Sequence, residues 1–297
     1  MKTSEASNGK LGWNGPFLWS ALFIFMWSSG YVAGKLGLPY AGPFTLLFIR
    51  FAVAAAILLF ISALMKAQWP KSKKDLFHLI VVGILIQVLQ FSGVYYGLSL
   101  GVSAGVSALI IGLMPVTTAI CAVWFLKEKV SKLQMVGLAL GVLGVCSVVA
   151  HKVNLESGSI LGYLTTFLAL GGITLGTIYQ KKFCGGMDLR TGGCIQLTSA
   201  AILVGILSWR FEQFQVNWSH ELIISTAWLS LVNSIGAISL LFFLMRRGEA
   251  SRVASLFYLV PSVAALMGYA VLSETISITQ AIGFLVSASG VYLATRK

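Results

Sequence analysis

Two stretches of the chain share one pattern: residues 115–137 read PVTTAICAVWFLKEKVSKLQMVG, and residues 261–283 read PSVAALMGYAVLSETISITQAIG. Each has the spacing P-x(12)-E-x(2)-S-x(2)-Q-x(2)-G. The second copy follows the first at a distance of 146 residues, and the same shift lays IRFAVAAAILL, from Ile49, over IQLTSAAILVG, from Ile195. A fixed period over half a chain indicates a duplicated structural unit. The chain is therefore predicted to consist of two related halves.

The composition excludes water-soluble domains. Of the 297 residues, 57% are hydrophobic and only 10% are charged, whereas a typical soluble domain has about 25% charged residues. The mean hydropathy is +0.88. A globular protein of this size cannot hide so much apolar surface from water, so the lipid bilayer is the expected surrounding of this chain.

Membrane crossings are predicted from run length, because a helix needs about 20 mostly apolar residues to span the hydrocarbon core. The runs lack the two-residue alternation of a barrel, and in lipid a single segment satisfies its backbone only as a helix. The sequence predicts an N-terminal tail (1–15) and two five-helix repeats (16–151 and 160–297). The ten qualifying runs lie at about 16–35, 43–64, 76–98, 104–126, 133–150, 160–180, 191–209, 222–244, 252–272 and 279–295.

Basic residues are divided unequally between the two sets of loops. The loops on the side of the two chain ends carry 17 of the 21 Lys and Arg residues, the opposite loops carry three, and Arg50 lies within a span. Cytoplasmic loops are enriched in Lys and Arg, so we predict a multi-pass membrane protein with both termini in the cytoplasm. The basic residues are scattered over six short loops without interleaved aromatic residues, so nucleic acid is not an expected partner.

Five helices are an odd number, so the second repeat must enter the membrane from the opposite side. The charges agree, because Lys127 precedes Glu128 whereas Ser273 precedes the equivalent Glu274. We therefore predict an all-α polytopic membrane protein with ten transmembrane helices in two inverted five-helix repeats. Inverted repeats are typical of alternating-access transporters. The alternative is that duplication produced only a stable bundle.

The repeated motif, together with LFIRFAVAAAILL around Arg50, resembles the EamA family of the drug/metabolite transporter superfamily. The resemblance covers nearly the whole chain. It implies an inner-membrane carrier that exports small metabolites, with a central cavity lined by helices 1, 3, 4, 6, 8 and 9. Relatives are associated with amino acids, aromatic metabolites, nucleosides, sugars and drugs. Amino acids or related amphipathic compounds are the favoured substrates, and the other classes are alternatives.

Polar residues within the spans predict a cavity for a small-molecule substrate. Gln87 and Asn233 are repeat-equivalent and lie near the middle of spans three and eight, where carboxamides are costly unless they face protein or a water-filled cavity. Ser28 and Thr174 form a second equivalent pair in spans one and six. The alternative for each residue is an interhelical hydrogen bond, worth about 0.6 kcal/mol on average. The remaining candidates are Gln90, one turn beyond Gln87, and the aromatic residues Trp27, Tyr31, Tyr95 and Tyr258.

Prolines and glutamates of the repeated motif are candidates for mechanical roles. Pro115 and Pro261 fall within spans four and nine, where each removes a backbone hydrogen bond and can act as a kink or hinge. Glu128 and Glu274 follow the ends of the same spans. We favour a structural role for these glutamates, bonding neighbouring helix N-termini, over a proton-linked gate. Exchange or facilitated diffusion is slightly favoured over proton antiport, because no carboxylate lies deep in a span.

Arg50 is the one clear charge within a span. It could attract a substrate carboxylate, extend outward to the interface, or bond backbone carbonyls. The resemblance implies an arginine at this place in relatives with different substrates, which favours a structural role.

Enzymatic function is not predicted, since His78, His151 and His220 lie at span ends on differing sides and no catalytic or metal-binding set converges. No cofactor is expected, and the alternatives to a transporter are a membrane-embedded enzyme and a channel or scaffold. The four cysteines have no metal-binding spacing. Small-residue faces, Gly137-x-x-x-Gly141 and Gly283-x-x-x-Ser287, allow close helix packing within the chain, or in a possible homodimer.

The proline hypothesis yields a first prediction. Replacing Pro115 with Ala should slow transport without abolishing membrane insertion, because the variant restores a backbone hydrogen bond at the bend. The initial rate of transport in proteoliposomes, compared with the amount of inserted protein, measures this effect. An unchanged rate would exclude a hinge role.

Overall fold

The computed structural model describes residues 14–114, 116–118, 121, 132–155, 159–240, 244 and 259–295. Within these ranges the chain forms ten helices, one in each predicted run. Five of them, α2, α3, α6, α7 and α8, are long and apolar enough to cross a membrane, and α4, α5, α9 and α10 contain shorter apolar segments. The helices are α1 Asn14–Gly37, α2 Pro43–Leu64, α3 Lys73–Ser99, α4 Ala104–Ile111, α5 Lys132–Leu155, α6 Ile160–Phe183, α7 Leu189–Phe211, α8 His220–Leu240, α9 Val260–Leu272 and α10 Ile278–Thr295.

Helix starts follow from local sequence. The side chains of Ser72, Ser103, Ser159, Asp188 and Ser219 each accept a hydrogen bond from a backbone N–H in the first turn of the helix that follows. These side chains satisfy donors that a helix cannot pair internally.

A reciprocal capping box precedes α10. Ser277 N donates to Gln280 Oε1 at 2.8 Å and Gln280 N donates to Ser277 Oγ at 3.2 Å, and the repeated spacing S-x(2)-Q is the sequence pattern of such a box. Pro261 lies in the first turn of α9, where a missing N–H costs nothing. Pro261 therefore lies at the start of the described helix, and the predicted kink stays a prediction, because residues 245–258 before it and Pro115 lie outside the described residues.

Each of two helix pairs brings repeat-equivalent elements together in antiparallel fashion. In α5 and α10, a Cβ added to Gly144 would lie 2.6 Å from the backbone N of Ser287, and Gly290 is pressed equally closely against Gly141. Under the 146-residue shift Gly144 is equivalent to Gly290, and Gly141 to Ser287. The contact is thus the same seen from either helix, as a two-fold axis requires. Such an axis across antiparallel helices inverts one repeat relative to the other.

The α2–α7 pair follows the same geometry. Thr45 Oγ1 lies 2.6 Å from Ser208 Oγ near one end, and Cys194 Sγ contacts the Ala55 carbonyl oxygen at 3.7 Å towards the other.

The small-residue faces of α5 and α10 pack against each other within the chain. The possible homodimer stays a prediction and would need a different surface.

The first helix of each repeat packs against the third and fourth helices of the other repeat. Ser28 Oγ, on α1, donates to the Val260 carbonyl oxygen of α9 at 3.3 Å. Its repeat equivalent, Thr174 on α6, lies 2.6 Å from Thr117 Oγ1, in the segment that follows α4. The two repeats are thus interlocked, and any central space is bounded by both.

Two segments at equivalent positions are wound as π-helix, with i→i+5 hydrogen bonds. They are Gly83–Gln90 within α3 and Trp228–Ala237 within α8. π-Helical turns are rare and occur often at functional sites. These segments carry Gln87, Gln90 and Asn233, three of the predicted cavity residues.

The glycine contact predicts a stability difference. Gly144→Ala should lower the thermal unfolding temperature in detergent, because the added methyl meets the α10 backbone and such overpacking costs about 1–3 kcal/mol. Gly171→Ala is the matched control, since no atom lies within 4 Å of its added Cβ and Ala favours a helix over Gly. Equal unfolding temperatures for the two variants would contradict the contact.

Candidate functional site

A cavity lies among α1, α2, α3 and α8, between the two repeats. The space open to water in this cavity is about 40 Å³, which is enough for about three water molecules. Its lining residues are Trp27, Gly30, Tyr31, Arg50, Gln90, Phe91, Val94, Tyr95, Asn233 and Ile238.

The Arg50 guanidinium is buried in the wall of this cavity, with 2% of the residue exposed. Nε donates to Ser234 Oγ at 2.9 Å, and Nη1 donates to Tyr95 OH at 3.0 Å. The guanidinium carbon lies 4.2 Å from the centre of the Phe91 ring, a cation–π distance. The side chain therefore points into the bundle. The predicted alternative in which Arg50 extends outward to the interface does not hold in this structure.

Tyr95 joins three helices at this point. Its hydroxyl accepts from Arg50 of α2 and donates to the Gly30 carbonyl oxygen of α1 at 3.3 Å. A Cβ at Gly34 would lie 2.7 Å from the Tyr95 ring, so only glycine at this position lets α1 approach so closely. The tyrosine is 2% exposed, and its contacts fix the position of the guanidinium.

Two carboxamides that line the cavity carry oxygens without a partner in the described part of the chain. Asn233 Nδ2 donates to the Met26 carbonyl oxygen at 2.5 Å, and Oδ1 of Asn233 is buried with no hydrogen bond from a described residue. Gln90 Oε1 is likewise buried, and no described residue donates to it. Buried polar atoms are nearly always paired, so each exception calls for an explanation.

The structure brings most of the described candidates together and places three elsewhere. Trp27, Tyr31, Gln90, Tyr95 and Asn233 line the cavity, as does Arg50. Tyr258 and Glu128 lie outside the described residues. The three candidates that do not line the cavity are Ser28 and Thr174, whose hydroxyls bond neighbouring helices, and Gln87, which is buried at another place.

Four lining residues were not predicted, namely Gly30, Phe91, Val94 and Ile238. All are apolar, so they carry none of the polar signal on which the prediction relied. Phe91 could have been found, because it precedes Tyr95 by one helical turn and therefore shares its face.

Glu274 holds together one end of the bundle, which we call the Glu274 end. Its carboxylate accepts from Ala104 N, at the start of α4, at 3.1 Å, and pairs with Lys35 Nζ at 2.5 Å. The glutamate thus bonds a helix N-terminus, and that helix belongs to the other repeat. Lys35, at the end of α1, is engaged by this ion pair.

Glu212 was not predicted and acts at the same end. It accepts from Phe44 N at 2.9 Å, from Thr45 N at 2.7 Å and from Thr45 Oγ1 at 2.6 Å, so it caps α2. Asn217 N donates to the Tyr40 carbonyl oxygen at 2.8 Å, which joins the α7–α8 loop to the α1–α2 loop. Contacts between the repeats therefore close the Glu274 end in this conformation.

The opposite end carries a locally paired carboxylate. Asp188, before α7, accepts from Arg190 Nη2 at 2.6 Å and from Arg190 N at 2.9 Å. The hydrogen-bonded guanidinium lowers the pKa of the Asp188 carboxyl to about 2, so the pair is charged at neutral pH. Within the described ranges no three His, Cys, Asp or Glu side chains come together as metal ligands.

Comparison with known proteins agrees with this architecture. A family model described as the EamA-like transporter family matches residues 15–150 and again 160–296. An uncharacterized transporter of Bacillus subtilis, YvbV, is 26% identical over 93% of this chain and 90% of its own length. A probable amino-acid metabolite efflux pump of Salmonella typhimurium is 24% identical over 92% of each chain.

A solved crystal structure with 16% sequence identity superposes with a TM-score of 0.67, over 95% of this chain and 98% of that chain. At this identity the likeness shows the fold alone. Two matches of one family model to the two halves account for the duplication, and the relatives are transporters and not enzymes. The chain belongs to the EamA-like transporter family and is a multi-pass membrane transporter of the inner-membrane type.

Proposed function

We propose that the protein is an alternating-access carrier that exports amino acids or related amphipathic metabolites across the inner membrane. The observation that carries the proposal is the cavity between the interlocked repeats, in which Arg50 and Gln90 of the first repeat face Asn233 of the second. Relatives from Salmonella typhimurium and Escherichia coli named as probable amino-acid metabolite efflux pumps support the substrate class.

The inverted repeats supply the two states that such a carrier needs. In this conformation Glu212 and Glu274 of the second repeat hold helices of the first at the Glu274 end. We assign that end to the outer side of the membrane, because 17 of the 21 basic residues belong to loops at the other end. Export would then require these contacts to break while the opposite end closes.

Exchange or facilitated diffusion suits the cavity better than proton antiport. The described lining contains one cation and no carboxylate, and a proton relay at this depth normally uses Asp, Glu or His. Glu274 is the nearest alternative, but its carboxylate already accepts from Ala104 N and Lys35 Nζ.

Counterflow tests the function directly. Proteoliposomes preloaded with an unlabelled amino acid should accumulate the labelled compound from outside, and uptake should saturate with external concentration. Liposomes without protein give the background. Flux that rises linearly without saturation would indicate a channel, and absence of trans-stimulation for every amino acid would contradict the proposed substrate class.

The ion pair at the Glu274 end predicts an effect on accessibility. In a background without the native cysteines, Val94→Cys places a thiol in the cavity wall. Adding Glu274→Gln should increase the labelling rate by a membrane-impermeant maleimide from the outer side by about fivefold, because a surface-near ion pair is worth at most about 1 kcal/mol. Asp188→Asn, at the opposite end, is the matched control. If Glu274→Gln leaves the labelling rate unchanged, the ion pair does not help to close this end.

A further inference from the structure

The positive charge of Arg50 has no negative partner among the described residues. Its two hydrogen bonds go to the hydroxyls of Ser234 and Tyr95, and its flat faces contact aromatic rings, Phe91 most closely. The described ion pairs are Lys35–Glu274 and Arg190–Asp188, and both lie at the ends of the bundle. A buried charge without a counter-charge is costly, so the site carries an electrostatic deficit that an anion would remove.

The guanidinium also has unused donors. An arginine has five N–H groups, and within the described part of the chain only Nε and Nη1 of Arg50 make hydrogen bonds. Nη2 has no partner there, and the residue lines the cavity. A planar fork with free donors matches a carboxylate, which accepts two parallel bonds. The sequence favoured a structural role for Arg50, but free donors on a residue that lines the cavity point to a ligand.

The opposite chemistry is present in the same cavity. Asn233 Oδ1 and Gln90 Oε1 are buried acceptors to which no residue of the described ranges donates, and the residues are 7% and 3% exposed. The hydrogen bond from Asn233 Nδ2 to the Met26 carbonyl oxygen fixes the orientation of the amide, so that Oδ1 points away from Met26. Amide oxygens accept from an ammonium group without the cost of burying a second charge.

We propose that this cavity recognises a zwitterionic α-amino acid by its backbone groups. Arg50 binds the carboxylate, and the free oxygens of Asn233 and Gln90 accept from the ammonium. The aromatic residues Trp27, Tyr31 and Phe91 surround the amino-acid side chain. The inference rests on the proposed function and deepens it, since it requires both a free carboxylate and a free ammonium on every good substrate.

Ligand derivatives test the inference on the unaltered protein. Binding to purified protein in detergent is measured for the twenty proteinogenic amino acids, and then for the amide, the decarboxylated amine and the N-acetyl derivative of the tightest one. Each derivative removes one charge and should bind about 10- to 100-fold more weakly, the range for losing a hydrogen bond to a charged group. Equal affinity of the amide and the parent acid overturns the carboxylate site.

Variants assign the two charges to residues. Arg50→Gln should reduce the ratio of acid to amide affinity to near one, whereas Arg50→Lys should keep part of it. Asn233→Leu should reduce discrimination against the N-acetyl derivative and leave the acid-to-amide ratio unchanged. Arg210→Gln is the matched control, because Arg210 lies at the end of α7 outside the cavity. A merely structural Arg50 would weaken all ligands equally, and that result overturns the proposal.

The proposal can be tested even if the Arg50 variants do not fold. If Arg50→Gln is not recovered from the membrane, the derivative series on the wild-type protein still decides. Saturable counterflow of the amine or the amide at the rate of the parent acid would overturn this inference while leaving the carrier intact. Counterflow of sugars or nucleosides, with none for any amino acid, would overturn the proposed substrate class together with this inference.

Discussion

The hydrogen bonds of Arg50 tie four helices from both repeats around one point inside the membrane. The guanidinium, on α2, reaches Ser234 on α8 and Tyr95 on α3, and Tyr95 continues to the Gly30 carbonyl oxygen on α1. Moving any one of the four helices away would leave a charged or polar group to be paired by water in the cavity or by a ligand. The cavity owes its shape to this constraint.

The fold is symmetric, but the site within it is not. Under the 146-residue shift Arg50 is equivalent to Gln196, Trp27 to Ile173 and Tyr31 to Thr177. The helices of the two repeats are related in pairs, as the isologous contact of α5 with α10 illustrates. In the described lining, the charge and the aromatic rings all belong to the first repeat. A ligand with two different ends therefore has one preferred orientation in a scaffold that itself has none.

Much of the fold could be predicted from the sequence because it follows from local properties. Run length fixes the ten helices, the 146-residue shift identifies the repeats, and the capping box before α10 involves neighbours three residues apart. The inversion also followed, since five crossings per repeat and the placement of Lys127 leave little choice.

The facing of side chains was harder to predict, and α3 shows why. Gln87 and Gln90 were assigned to one face on the assumption of 3.6 residues per turn. The segment Gly83–Gln90 is instead π-helical, which adds a residue to each turn and rotates neighbouring side chains relative to that pattern. Gln90 lines the cavity and Gln87 does not. A bond from Glu274 to a helix N-terminus was expected, but its partner, Ala104 N, and the contacts of Glu212 could not be predicted, because each contact joins residues more than 160 positions apart.

Glu274 makes two contacts, one with Lys35 and one with Ala104 N. Both bear on the relative free energies of the two states that the proposed carrier needs. Opening the Glu274 end leaves Lys35 without its counter-charge and Ala104 N without its acceptor. A substrate can compensate this cost only by binding one state more tightly than the other, so the cost at one end must be close to the cost at the other. The 146-residue shift carries Lys35 onto Lys181 and Glu274 onto Glu128. Both halves therefore carry a lysine and a glutamate at these equivalent positions, whereas Arg50, Trp27 and Tyr31 have other residue types at theirs.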